Sequence, residues 1–170
     1  MRAFSELPEA LRGMTFETLE PRTETADVVA EARRFAKGES DAKWLVMSGS
    51  VGWGKTHIGI SIINERIDHP EYGGAGKYVF WLDFLTQLQA GFDDGTYHQT
   101  LDRYRDVPLL MVDNLKSGGK WADERLLDLL DWRYIRRLET IVTLNTMRGL
   151  DTPVQDRLED IGTGLVQVFA

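Results

Sequence analysis

Cysteine is absent from these 170 residues, and histidine occurs only three times. A chain without thiols has no disulfides and no thiolate metal site. His57, His69 and His98 are too scattered to read as a metal centre. No stretch approaches the roughly 18 consecutive apolar residues of a membrane span. The first residues, with Glu6, Glu9 and Arg12 among them, lack the apolar core of a signal peptide. Internal repeats and low-complexity tracts are missing too. Positive charge is in deficit, 20 Lys and Arg against 27 Asp and Glu for a net −7, so a monomer gains little from non-specific attraction to nucleic acid. These absences lead to the expectation of a cytoplasmic protein with no membrane partner. With 42% hydrophobic residues, the length suits one domain holding a sheet covered by helices.

What the chain does contain is Gly49, Ser50, Val51, Gly52, Trp53, Gly54, Lys55 and Thr56, which read G-x-x-x-x-G-K-T. This is the phosphate-binding loop of a nucleotide-binding protein. Its glycines let the backbone curl so that successive N–H groups point at a phosphate, and Lys55 adds a point charge. Thr56 offers a hydroxyl to Mg²⁺, and the following helix presents its positive N-terminus to the anion. The apolar run Trp44–Met47 precedes the loop, and Ile58, Ile62, Ile63 and Ile67 follow it at helical spacing. Strand, loop and helix stand in the required order, and a nucleoside triphosphate is the implied ligand.

Along the rest of the chain, residues 1–24 read as an irregular lead-in carrying Phe4, Leu7, Leu11, Phe16 and Leu19, and 25–170 as the core. A helix is expected from about Ala26 to Lys37. Strands are expected at Trp44–Ser48, Tyr78–Trp81, Leu109–Val112, Ile141–Leu144 and Val166–Phe169. Between them, one helix starts near Asp83 as N-cap and stops at Gly91, and another spans about Thr96 to Arg105. A further helix is marked by Leu126, Leu130, Tyr134 and Leu138, and a short one lies near Val154–Asp160. Strands alternating with helices, each strand a continuous apolar run, predict an α/β fold with a five-stranded parallel sheet buried on both faces, in three layers α/β/α.

A phosphate loop works with a carboxylate at the end of a neighbouring strand, which holds Mg²⁺. Asp113 follows the run Leu109–Val112 and is the candidate, although an acid there also serves as an ordinary turn former. Asn145 ends the next strand, where an amide can orient water or touch the γ-phosphate; turns also favour Asn. Arg33, Arg34 and Lys37 form one local basic cluster. Arg133, Arg136 and Arg137 form another on a predicted helix, and the ordinary reading of each is a solvated helix face.

Taken in order, Thr15-Phe16-Glu17, Gly49–Thr56 with His57, Leu109–Asp113, Arg133-Tyr134, Thr140–Asn145 and Asp156-Arg157-Leu158 resemble the AAA+ ATPases of the DnaC/IstB type. These are replicative-helicase loaders and helper ATPases of insertion sequences. The resemblance implies ATP and Mg²⁺ as cofactors, bound by Gly49 to His57 with Thr56 and Asp113 at the metal. It also implies Asn145 as the sensor of the γ-phosphate and Arg157 as an arginine that reaches a neighbouring subunit's ATP. The implied partners are a replicative helicase or a transposase, single-stranded DNA as a candidate ligand, and further copies of the chain in an ATP-dependent oligomer.

The chain departs from the family pattern in four places. Asn114 stands where a second acid is usual, and an amide cannot accept a proton as a carboxylate does. Trp53 fills a position usually held by a small residue, so its ring is expected to pack outward or against a partner. The chain is expected to be the ATPase core alone, without a full lid domain and stopping before the arginine that commonly follows the last strand. The N-terminal helicase-binding domain of loaders is expected to be missing as well. Three other readings stay open: a transposition helper, a nucleotide-binding regulator with little hydrolysis (suggested by Asn114), and a small P-loop kinase, for which no arginine-rich lid is evident.

Overall fold

Strand residues of one parity face one set of helices, and residues of the other parity face a second set. Leu45, Met47, Leu109, Met111 and Ile141 join a core with Val28, Phe35, Ile58 and Ile62. Trp44, Val46, Leu110, Val112, Val142 and Leu144 join a second core with Phe84, Leu88, Leu126 and Leu130. Strands buried on both faces carry unbroken apolar runs, and they need helices above and below. The computed structural model, which describes residues 7–160 and the backbone of 164–169, has this arrangement. Phe4 and Ala170 lie outside the described residues.

The element order is α1 (Ala26–Ala36), β1 (Trp44–Gly49), α2 (Lys55–Asp68), β2 (Gly76–Phe80), α3 (Trp81–Asp94), α4 (Tyr97–Arg105), β3 (Leu109–Leu115), α5 (Lys120–Ile135), β4 (Glu139–Leu144), α6 (Thr152–Leu158) and β5 (Gly164–Phe169). All pairings are parallel, in the order β2-β3-β4-β1, with the backbone of β5 along the outer side of β1. This order places β1, which leads into the phosphate loop, between β4 and β5. Among the described residues no helix is long and apolar enough to cross a membrane.

Several boundaries differ from the sequence expectation: β3 runs on to Leu115, and α6 spans Thr152–Leu158. Trp81 opens α3 instead of ending β2: its ring stacks on Phe84 and its indole N–H donates to the Lys116 carbonyl at 2.9 Å. Asp83 therefore lies in the first turn and is not the cap. Gly91 does not stop α3 but sits inside it, because α4 crosses there; a Cβ at Gly91 would lie 2.8 Å from the Tyr97 backbone. Leu138 is not on α5. The helix ends at Ile135, Arg137 turns into the left-handed region (φ 52), and the Leu138 N–H bonds back to the Arg133 carbonyl.

Arg133 is not on a solvated face either. It is fully buried, and its guanidinium donates to the carbonyls of Tyr104, Arg105, Val107 and Glu139 and to Thr140 Oγ1. Five donors in a rigid fork let one arginine tie the end of α4 to the start of β4. In the other basic cluster, Arg33 lies 4.6 Å over the Phe16 ring beside Glu17, and Arg34 pairs with Glu31. The described part of the lead-in lies against α2. Asn64 Nδ2 donates to the Met14 carbonyl at 2.8 Å, and Leu7 and Phe16 are buried in the α1–α2 core.

Candidate nucleotide-binding site

Residues after β1 turn sharply into α2. Gly54 caps the helix with a left-handed backbone (φ 81), a conformation that a β-carbon disfavours and glycine adopts without steric cost. Lys55 and Thr56 then occupy the first turn of α2. The Lys55 ammonium donates to the carbonyls of Gly49 (2.6 Å) and Ser50 (2.8 Å), which folds it across the loop. Burial lowers its pKa, and the charge of Asp113 opposes that shift.

Opposite the loop, Asp113 is buried near the end of β3. Its Oδ1 accepts from Thr56 Oγ1 at 2.8 Å and from Thr143 Oγ1 at 2.5 Å, and its Oδ2 accepts from the Tyr78 hydroxyl at 3.1 Å. Burial, with the adjacent Asp113 charge second, pushes the Tyr78 phenol well above its ordinary pKa, so it is a donor at neutral pH. Between Val112 and Leu115 the register of β3 against β4 shifts, and Asn114 adopts φ 57. Such a bulge re-aims a side chain beside a site, and Asn is among the few non-glycine residues that accept this backbone. The Asn114 N–H donates to Thr143 Oγ1 at 2.9 Å.

A cleft of about 360 Å³ lies between loop and strand ends. It brings together Val51, Gly52, Gly54, Lys55, Thr56, His57, Asp113, Asn114 and Asn145 of the residues marked in the sequence. Gly49, Ser50 and Trp53 complete the loop without lining the cleft. Trp53 does not pack outward. It lies half-buried against the α1–α2 core with its indole N–H on Ser50 Oγ at 3.1 Å. His57 faces the lead-in, donating its Nε2–H to the Thr15 carbonyl at 2.8 Å. Arg157 is not at the cleft of its own chain: it pairs with Asp131 at 2.7 Å and lies 3.8 Å over the Tyr134 ring.

Sequence reasoning missed Tyr78 and Thr143. The signal was present in the alternation of the strands. Ile141 and Thr143 share the α2 side of β4, and Tyr78 sits beside Met111 on β2, so both polar groups face the side from which Asp113 projects. As for metals, the described residues contain no cluster of three or more His, Asp or Glu that could hold one. Thr56 and Asp113 offer instead a hydroxyl and a carboxylate. These are hard oxygen donors of the kind Mg²⁺ takes in small number, with phosphate oxygens and water filling its remaining positions.

The arrangement is similar to known proteins. The B. subtilis protein named replicative helicase loader DnaI is 30% identical over 106 residues, 61% of this chain. That match spans only 33% of the relative's length. A crystal structure of DnaI superposes with a TM-score of 0.79 at 22% identity, covering 98% of this chain and 96% of that one. Domain III of the replication initiation protein DnaA from Thermotoga maritima gives 0.80 at 21% identity, covering 92% and 67% respectively. At these identities the superpositions show the fold, the α/β parallel sheet of P-loop NTPases. A model of the IstB-like ATP binding proteins matches residues 15–157, most of the chain and every loop that forms the cleft. The chain belongs to the family of IstB-like ATP binding proteins.

Proposed function

We propose that this protein is an AAA+ ATPase of the helicase-loader kind, which uses ATP to control self-association and engagement of a replicative helicase. One observation carries the reading: Lys55 and Thr56 face Asp113 across a single cleft, with Thr56 and Asp113 in direct contact at 2.8 Å. Family membership and the likeness to a replicative helicase loader support it. In this reading the amides of Gly49 to Thr56 and the Lys55 ammonium take the phosphates. Thr56 and Asp113 hold Mg²⁺, which neutralises charge on the phosphates when bound. Asn145, exposed at the cleft's edge, contacts the γ-phosphate, and Arg157 serves the ATP of an adjacent subunit. Residues 25–170 act as the ATPase core in the cytoplasm, with the lead-in laid against α2.

Hydrolysis is slow because Asn114 supplies no carboxylate where a general base is usual. The test is steady-state ATP turnover of the purified chain, alone and with single-stranded DNA or a replicative helicase, alongside ATP affinity by calorimetry. Slow turnover that DNA, helicase or self-association stimulates supports the reading. Tight binding with no turnover under any condition makes the protein a nucleotide-controlled regulator. Stimulation by a transposase in place of helicase makes it a transposition helper, and phosphoryl transfer to a small acceptor makes it a kinase.

A further inference from the structure

The carboxylate of Asp113 is held from three directions by hydroxyls, on α2 (Thr56), β4 (Thr143) and β2 (Tyr78). A carboxylate's terminal torsion is soft, so one hydrogen bond does not define its plane. Bonds to opposite oxygens do, and here Thr143 holds Oδ1 while Tyr78 holds Oδ2. The Thr143 hydroxyl has one proton, and its oxygen already accepts from the Asn114 N–H at 2.9 Å. That one proton goes to the Asp113 carboxylate, which can only accept. The Tyr78 ring comes from the neighbouring strand, where Phe80, two residues on, is the register partner of Asp113. Both hydroxyls donate to the carboxylate and not to the loop that takes the phosphates, and both donors are neutral.

We propose that Tyr78 and Thr143 are positioning residues for the divalent cation: they clamp the Asp113 carboxylate so that it and the Thr56 hydroxyl converge on one Mg²⁺. This rests on the reading of Asp113 as the Mg²⁺ partner. Groups that orient a metal ligand in this way typically contribute 10–100-fold to metal affinity. Tyr78→Phe removes one oxygen and keeps the ring, so the space stays filled. Thr143→Val removes the other hydroxyl, and Thr143→Ser keeps it.

The experiment measures ATP affinity by calorimetry across a Mg²⁺ titration and again in EDTA, and Mn²⁺ binding by electron paramagnetic resonance with a non-hydrolysable ATP analogue. Tyr78→Phe and Thr143→Val are each expected to raise the Mg²⁺ concentration at half effect about tenfold or more. Affinity in EDTA should stay close to the parent in both, and so should the melting temperature of Tyr78→Phe. Thr143→Val should melt lower because the Asn114 N–H loses its acceptor, and Thr143→Ser should behave as the parent. If the Mg²⁺ midpoint is unmoved in Tyr78→Phe and Thr143→Val while Asp113→Asn shifts it, the clamp is refuted and the assignment of Asp113 survives. If Asp113→Asn also leaves Mg²⁺ dependence unaltered, the assignment of Asp113 falls, and the clamp with it.

Discussion

Arg157 and Asp131 are joined across α6 and α5 by an Nε–H···Oδ1 bond of 2.7 Å, with the guanidinium stacked 3.8 Å over Tyr134. The pair is partly exposed, with side chains at 26% and 40% of full accessibility, so it adds about 1 kcal/mol or less to stability. Its consequence is geometric: the arginine is held on its own chain's surface, away from its own chain's cleft.

Arg157→Ala is accordingly expected to fold and to bind ATP as the parent does, but to lose turnover and ATP-dependent self-association. An arginine supplied across an interface contributes about 10³–10⁵ in rate. Mixing Arg157→Ala with Lys55→Ala creates interfaces that pair an intact loop with an intact arginine, so activity should partly return. A mixture that co-assembles, as judged by sedimentation, yet stays as inactive as each variant alone would falsify action in trans.

Lys55→Ala should abolish Mg²⁺-dependent ATP binding in calorimetry. Among the described residues the ammonium donates to the Gly49 and Ser50 carbonyls, and both belong to the loop beside the cleft, where water can replace it. The expected loss of stability is therefore about 1 kcal/mol. Undiminished nucleotide affinity in a folded variant would contradict the assignment of the loop.

Asn114→Asp is expected to raise turnover about 10²-fold by supplying a carboxylate. Asn114→Glu should gain less. The backbone here has φ 57, which Asn and Asp accept and Glu resists at a cost of about 1–2 kcal/mol. Single-turnover hydrolysis together with thermal melting separates the chemical gain from the strain. If the parent already turns over briskly and both variants are slower, the role given to position 114 is wrong.

Arg133→Ala should be among the most damaging substitutions in the chain. It deprives four backbone carbonyls and one threonine hydroxyl of a buried donor, a loss of roughly 3–5 kcal/mol. Arg133→Lys should recover only part of this, because an ammonium cannot match the fork. Chemical denaturation measures both. A stability near the parent's for Arg133→Ala would mean that α4 and β4 are held together by packing alone.

The phosphate loop was legible because its chemistry is local. Eight consecutive residues carry the turn, the cation and the hydroxyl, and the runs at Trp44–Met47 and Leu109–Val112 announce buried parallel strands without reference to anything distant. Asn145 was legible as an amide ending a strand beside the loop, whereas Arg157 was added by family resemblance alone. What the sequence could not determine is whatever depends on strand register and burial. Arg133 looks like one more surface cation until α5 is set against β4, and Trp81 reads as a strand residue until its indole meets Lys116. Tyr78, Thr143 and Asp113 sit on three different strands, and only the parallel pairing of β2, β3 and β4 brings their oxygens within hydrogen-bonding distance. Covalent neighbours determine a turn or a motif, whereas the contacts that orient the carboxylate exist only once non-local hydrophobic burial has closed the sheet.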